Sequence, residues 1–184
     1  VVTISEFCRQ ELLQYHAGNV VVTGEALSDS ELFQPVPLAQ RPRRERKTIF
    51  FLGDLRPRKG LQDFLAAAAI VYQKMPEVYF WIALKDASSL SSDLPIQIFE
   101  RPTRSQLIDL YSSCDLFVSA SWCEGFGLPP LEAMACATPV VLTDSGGVKE
   151  YAEDRVNCLL VPPRQPARLA DAILQLLTDV KLAE

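Results

Sequence analysis

Seven residues separate Glu124 from Glu132, Gly125-Phe126-Gly127-Leu128-Pro129-Pro130-Leu131. Glycines at 125 and 127 let the backbone take a positive φ or come close to a ligand. Pro129 and Pro130 preset φ where a first helical turn needs no N–H donors, and residues 131–137 read as helix. A helix that begins there offers free N–H groups and the positive end of its dipole, which suits a phosphate. Glu124 is expected in the loop and Glu132 about one turn inside the helix, so that both face one ligand. An anionic ligand that also carries hydroxyls fits this set.

A second chemical stretch is Arg56-Pro57-Arg58-Lys59-Gly60. It follows a short apolar run, 48–53, that reads as a buried parallel strand ending in Gly53. An amphipathic helix over 61–73 comes next, with Leu61, Phe64, Leu65, Ala68 and Val71 on one side. Cations at a helix start are unfavourable without an anion, so Arg58 and Lys59 point to one. In open α/β sheets such a loop, at the carboxyl end of a strand, is where ligands bind.

The elements that must position these residues alternate along the chain. Further strands are expected at 78–84, 96–99, 115–120, 139–143 and 158–161. Helices are expected at 104–114, capped by Thr103, and from Gln165-Pro166 onward. The alternation gives an α/β fold, a Rossmann-like doubly wound parallel sheet over about residues 46–179. Asp144-Ser145-Gly146-Gly147-Val148-Lys149-Glu150 repeats the theme of glycines before a helix, and Glu150 reads equally as a ligand contact or a helix-start acid. Ahead of the sheet, a strand at 1–4 leads through Ser5, an N-cap, into a helix at 6–15 and a second strand at 19–23. Residues 35–47 carry three prolines and five basic residues against one acid, and read as a linker.

Composition excludes several classes. The chain has 184 residues, 48% hydrophobic and 22% charged, with a net charge of −5 that argues against a nucleic-acid binder. No apolar run approaches the ~20 residues of a membrane span. Five cysteines without a C-x-x-C pair suggest buried, reduced thiols and a cytoplasmic location. His16, the only histidine, reads as structural, which leaves no Ser-His-Asp triad. Gly53-Asp54-Leu55-Arg56 lacks the G-x-G-x-x-G of a nicotinamide dehydrogenase.

E-G-F-G-L-P-P-L-E-A-M-A at 124–135, followed by T-P-V-V at 138–141, resembles the E-x7-E signature of the retaining GT-B-fold glycosyltransferases, the glycosyl transferase group 1 family. Pro57-Arg58-Lys59, the T-x-x-G-G-x-x-E at 143–150 and the S-x-F-x-R-x-x-L at 5–12 are similar to further family motifs. The resemblance implies the C-terminal half of a GT-B fold. Residues 1–34 would be the tail of the N-terminal acceptor domain or a connecting segment, 35–47 the linker, and 48–184 the donor domain. It implies a nucleoside-diphosphate sugar as donor, no cofactor and no metal. Arg58 and Lys59 would hold the diphosphate, with Gly53, Gly125, Phe126, Gly127 and Leu128 around the donor. Glu132 would accept from the ribose hydroxyls, and Glu124 would be the catalytic carboxylate beside the sugar.

Transfer with retention to a glycan or lipid-linked acceptor, as in polysaccharide biosynthesis, is implied in the same way. The acceptor would be held through an N-terminal domain that this chain lacks, so the chain alone is expected to bind donor without transferring it. Arg41, Arg43, Arg44 and Arg46 are open to two readings, a peripheral contact with an acidic membrane or a solvated linker. The chain departs from the family at Asp54, where one pattern has Arg, after Leu84, where a glycine turn is usual, and at Ala137 and Cys158, where glycine is common. The small Ala137 is expected to preserve close packing. These departures keep an alternative open, a non-catalytic binding or scaffold domain derived from such enzymes.

Overall fold

A computed structural model of the chain describes residues 1–15, 18–27, 31–36, 46–86 and 90–183. His16 and most of the expected linker, 37–45, including Arg41, Arg43 and Arg44, lie outside the described residues. The larger sheet contains β3 (Thr48–Leu52), β4 (Tyr79–Leu84), β5 (Ile96–Glu100), β6 (Leu116–Ser119), β7 (Val140–Thr143) and β8 (Leu159–Val161). All its pairings are parallel, in the order β5-β4-β3-β6-β7-β8. A two-stranded parallel sheet of β1 (Val2–Thr3) and β2 (Val21–Val22) stands beside it, joined by α1 (Glu6–Leu13).

Apolar runs in the central strands follow from burial on both faces. Ile49, Phe51, Phe80, Ile82, Leu84, Leu116, Val118 and Val141 point into one core layer, against α2 (Leu61–Lys74) and α5 (Pro166–Thr178). Their alternates Phe50, Trp81, Ala83, Phe117, Val140 and Leu142 fill the other layer. That layer is closed by α3 (Arg104–Ser113) and α4 (Leu128–Ala135), so the sheet is wound on both sides. Thr103 caps α3 in a full capping box with Gln106.

The chain runs outward from β3 to β4 and β5, then returns to place β6 on the other flank of β3. The loops after β3 and β6 therefore part company at the switch point, which opens a crevice between them. These are the loops that carry the basic cluster and Glu124.

Two expectations at α4 need correction. The helix starts at Leu128, not 131, because Gly127 takes φ 86° as its N-cap and Pro129 and Pro130 sit inside the first turn. It ends at Ala135, and Ala137 is exposed at φ 55°. The position suits glycine because of its left-handed backbone rather than close packing.

The N-terminal segment docks on the site-bearing loops. Ser5 is fully buried and caps α1 by accepting from the Cys8 N–H at 3.0 Å. Ile4 and Cys8 lie against Gly125, and the Phe7 ring lies against Gly146. Phe33 is 3% exposed and belongs to the α3/α4 core layer. Among the described residues, no helix is long and apolar enough to cross a membrane.

Candidate functional site

Glycine makes the crevice possible at two places. Gly60 takes φ 68° at the start of α2, and a Cβ there would stand 1.9 Å from the Ala120 carbonyl oxygen. The loop after β3 is thereby pressed onto the end of β6, with the Trp122 N–H donating to the Arg58 carbonyl at 2.7 Å. Gly147 is as tight, since its Cβ would meet the Gly125 carbonyl oxygen at 1.9 Å. The Glu124 N–H donates to Ser145 O at 2.8 Å and the Gly147 N–H to Glu124 O at 3.0 Å, which pins the 124 loop to the 145–147 loop.

On this frame Lys59 and Glu124 meet, with Nζ 2.5 Å from Oε1. Arg58 Nη1 lies 3.4 Å from Glu124 Oε2 and donates to the Cys123 carbonyl at 3.2 Å. Ser121 Oγ donates to Glu124 Oε1 at 2.7 Å. Both Lys59 and Glu124 side chains are largely covered, 18% and 14% exposed, so this pair is screened far less than a surface one. The basic cluster and the first carboxylate thus form one constellation.

Glu132 sits in a different setting. It lies three residues beyond Pro129 on α4, hence on the same helix side, and Pro129 lines the crevice. The Tyr111 hydroxyl donates to Glu132 Oε2 at 2.9 Å. Burial pushes the Glu132 carboxyl above its ordinary range, against the opposing pull of the Tyr111 hydrogen bond and the Arg104 charge. Tyr111 is fully buried, and burial together with the Glu132 charge pushes its phenol far up.

The crevice itself is a cleft of about 650 Å³, bounded by Gly53, Asp54, Lys59, Leu84, Arg101 and Pro129 among others. Gly53 is held at the strand end by its N–H bond to Ala83 O at 3.1 Å. Asp54 is paired with Arg56 through both carboxylate oxygens, and the Arg56 side chain holds its carboxyl below the usual range. On the far side of the 124 loop lies a second hollow of about 630 Å³, between α1 and residues 144–150. Its Glu150 accepts from the Glu6 N–H at 2.6 Å, so it serves as an anchor for the start of α1.

The glycosyl transferases group 1 model matches residues 46–179. The chain belongs to this family. It is 33% identical over 149 residues to a D-inositol 3-phosphate glycosyltransferase of Paenarthrobacter aurescens, covering 74% of this chain and 36% of that protein. It is 29% identical over 203 residues to O-antigen chain mannosyltransferase B of Escherichia coli, covering 97% of this chain and 51% of the relative. The chain therefore spans between about a third and half of the relatives it matches.

Among solved structures it is similar to the C-terminal domain of a glycosyl transferase group 1 family protein from Francisella tularensis. That match has a TM-score of 0.71 at 27% identity and covers 85% of this chain and 91% of that one. Anabaena HepE in complex with UDP and glucose shares the fold, at a TM-score of 0.81 and 22% identity over 100% of this chain and 54% of that one. The architecture is that of a GT-B glycosyltransferase half.

Within this family member, the residues singled out from sequence are distributed as follows. Arg58, Lys59 and Glu124 converge. Gly53 and Lys59 line the large cleft. Gly125, Gly127 and Leu128 form the turn into α4. Phe126 is only 7% exposed, with its ring 5.4 Å from that of Tyr151, so its backbone rather than its ring is available to a ligand. The Tyr151 hydroxyl in turn donates to the Gly127 carbonyl and steadies the turn.

Three contributors escaped the sequence reading: Ser121, Tyr111 and Gly60. A tyrosine in an otherwise core-facing helix needs an acceptor for its hydroxyl, and that was a usable signal for Tyr111. Cys114, Cys136 and Cys158 are buried as expected, whereas Cys123 is exposed.

Proposed function

We propose that this chain is the donor-binding part of a glycosyltransferase that uses a nucleoside-diphosphate sugar. The observation that carries the proposal is the meeting of Lys59, Arg58 and Glu124 at the switch-point crevice, from loops after two different strands. Lys59 and Arg58 present charge to a diphosphate, and the N–H groups at Gly127 and Leu128 open α4 toward it. Glu132, three residues beyond the crevice-lining Pro129 on α4, is assigned as the acceptor for paired ribose hydroxyls. The UDP of the Anabaena neighbour is in keeping with this assignment.

The reaction is exchange at the sugar's anomeric carbon. The bond from that carbon to the diphosphate oxygen breaks, its electron pair leaves with the diphosphate, and an acceptor hydroxyl oxygen bonds to the carbon and gives up its proton. Lys59 and Arg58 stabilise the charge growing on the leaving group. Glu124, beside the sugar, offsets the positive charge developing on the ring as hydroxyl ligand and electrostatic partner. Transfer of a hexosyl unit with retention, to a glycan or lipid-linked acceptor held by a preceding domain, completes the reading. Residues 48–184 then form the donor domain, and 1–34 belong to the acceptor side or its connection, although Phe33 is seated in the donor domain's core.

The second reading, a non-catalytic binding domain of the same descent, is favoured by Asp54, which ties up Arg56 at the crevice rim. Calorimetric titration with UDP, GDP, ADP and their common sugar conjugates separates the two. One nucleotide should bind, and Glu132→Ala and Lys59→Ala should each weaken it by ~2 kcal/mol. Silence toward every nucleotide in the full-length protein would leave the non-catalytic reading standing.

A further inference from the structure

Tyr111 ties the α3/α4 core layer to Glu132 on α4. Its ring is enclosed by Phe50, Phe117 and Phe33 at centroid distances of 5.4, 5.2 and 6.4 Å, the first two edge-on. Phe33 is itself covered by Arg104, whose guanidinium carbon lies 4.9 Å above the ring. Cys114 and Thr138 bind the Tyr111 carbonyl, with Thr138 Oγ1 at 2.6 Å. Backbone and ring are thus both fixed, and the phenol oxygen has one place to be. It donates to Glu132 Oε2, and no other side-chain hydrogen bond to Glu132 comes from the described residues.

A carboxylate has about four acceptor positions, so one bond from Tyr111 leaves room for two ligand hydroxyls while fixing the plane in which they must lie. Orientation of this kind is what a neighbouring hydrogen bond gives a binding group. Burial works against the ionised form of Glu132, and the Tyr111 bond and Arg104 charge work for it.

We propose that Tyr111 is a positioning residue for the nucleotide ribose, acting through Glu132, with Phe33 as the outer wall that locks its ring. The proposal rests on the donor-site reading above. It deepens that reading by assigning the vicinal-diol selectivity of the crevice to a Tyr111–Glu132 pair rather than to Glu132 alone.

The test is titration of the full-length protein and its Tyr111→Phe, Glu132→Ala and doubly substituted variants. The probes are UDP, GDP and ADP, and the 2′,3′-dideoxy form of whichever binds. Tyr111→Phe keeps the ring and should weaken the ribonucleotide about tenfold. It should leave the dideoxy nucleotide unchanged, and in the Glu132→Ala background it should add nothing. The unchanged dideoxy affinity also reports that the variant is folded. Equal loss for both nucleotides would mean that Tyr111 only packs, and would overturn the proposal. So would full ribonucleotide affinity in Tyr111→Phe beside a loss in Glu132→Ala, with the donor-site reading intact. Binding of no nucleotide by the wild-type protein would remove both.

Discussion

The two carboxylates of the site solve opposite problems. Glu124 sits on a loop, and its charge is met by Lys59 at 2.5 Å, Arg58 at 3.4 Å and the Ser121 hydroxyl at 2.7 Å. Glu132 sits on a helix, and its described side-chain partner is the neutral Tyr111 hydroxyl at 2.9 Å. Burial raises the Glu132 carboxyl. The difference separates two kinds of preorganisation. In the proposed donor complex Glu124 would share its cations with the diphosphate, and its partners would be redistributed as donor binds. Glu132 has no such shared cation in the proposed complex and would keep its Tyr111 hydrogen bond. A movable charge suits the reacting centre, and a fixed acceptor suits recognition.

The largest effect that breaks this contrast should come from Gly147→Ala. The new Cβ would stand 1.9 Å from the Gly125 carbonyl oxygen and 2.7 Å from the Phe126 nitrogen, both backbone atoms that cannot step aside. The 124 loop must then leave the 145–147 loop, and Glu124 loses its place while α4 and Glu132 keep theirs. We expect destabilisation of at least ~3 kcal/mol by denaturant titration. An unchanged midpoint would show that the loops are not locked together as the backbone bonds imply.

Lys59→Met comes next and sharpens the comparison by touching only the Glu124 side. It removes the cation closest to Glu124 while keeping the aliphatic stem. Diphosphate affinity should fall by ~2 kcal/mol in calorimetry, with the preference for ribose over dideoxyribose unaltered. A lost ribose preference would mean that the two carboxylates act as one unit.

Glu124→Gln should then divide binding from chemistry. The amide no longer competes with a diphosphate for Lys59 and Arg58, so a bare nucleoside diphosphate should bind as tightly as before or up to ~1 kcal/mol tighter. Glycosyl transfer by the full-length protein should drop by about 100-fold or more, as when one electrostatic group of a transition state is removed. Weaker nucleoside-diphosphate binding in Glu124→Gln would contradict the shared-cation account.

The contrast also marks what the sequence could convey. The continuous apolar runs of β3, β4, β6 and β7 were legible because both sheet faces are buried, and the parallel α/β fold follows from them with the strand–helix alternation. Lys59, Arg58 and Glu124 were legible as chemistry because they stand in peculiar local strings, and the structure brings them together. Tyr111 was not, since its partner lies 21 residues away and only the packing of α3 on α4 joins them. The prolines were rightly read in a first helical turn, but the regular helix was placed from Leu131, whereas Gly127 at φ 86° lets Leu128 open it. Ala137 was misread for a related reason, because its positive φ is set by how α4 ends and not by any neighbour in sequence.

The smallest expected effect isolates Glu132. A carboxyl whose folded-state pKa is raised favours folding most when it is protonated, and that contribution fades as pH climbs through the folded value. Where it is ionised, the wild-type carboxylate is a partly buried charge that an amide would not be. Glu132→Gln keeps the shape and an oxygen that can accept from Tyr111, so it should melt higher than wild type near pH 7. The gap should close as pH falls and the wild-type carboxyl takes up its proton. The same variant should bind ribonucleotide more weakly, because a neutral amide oxygen is a poorer acceptor for hydroxyls than a carboxylate. Stability and binding would then move in opposite directions at one residue, as expected where a binding group is held ionised against its surroundings. Scanning calorimetry from about pH 4 to 8 decides it. A variant less stable than wild type at pH 7 would mean that the Glu132 charge is a structural asset and that its raised carboxyl has been misassigned.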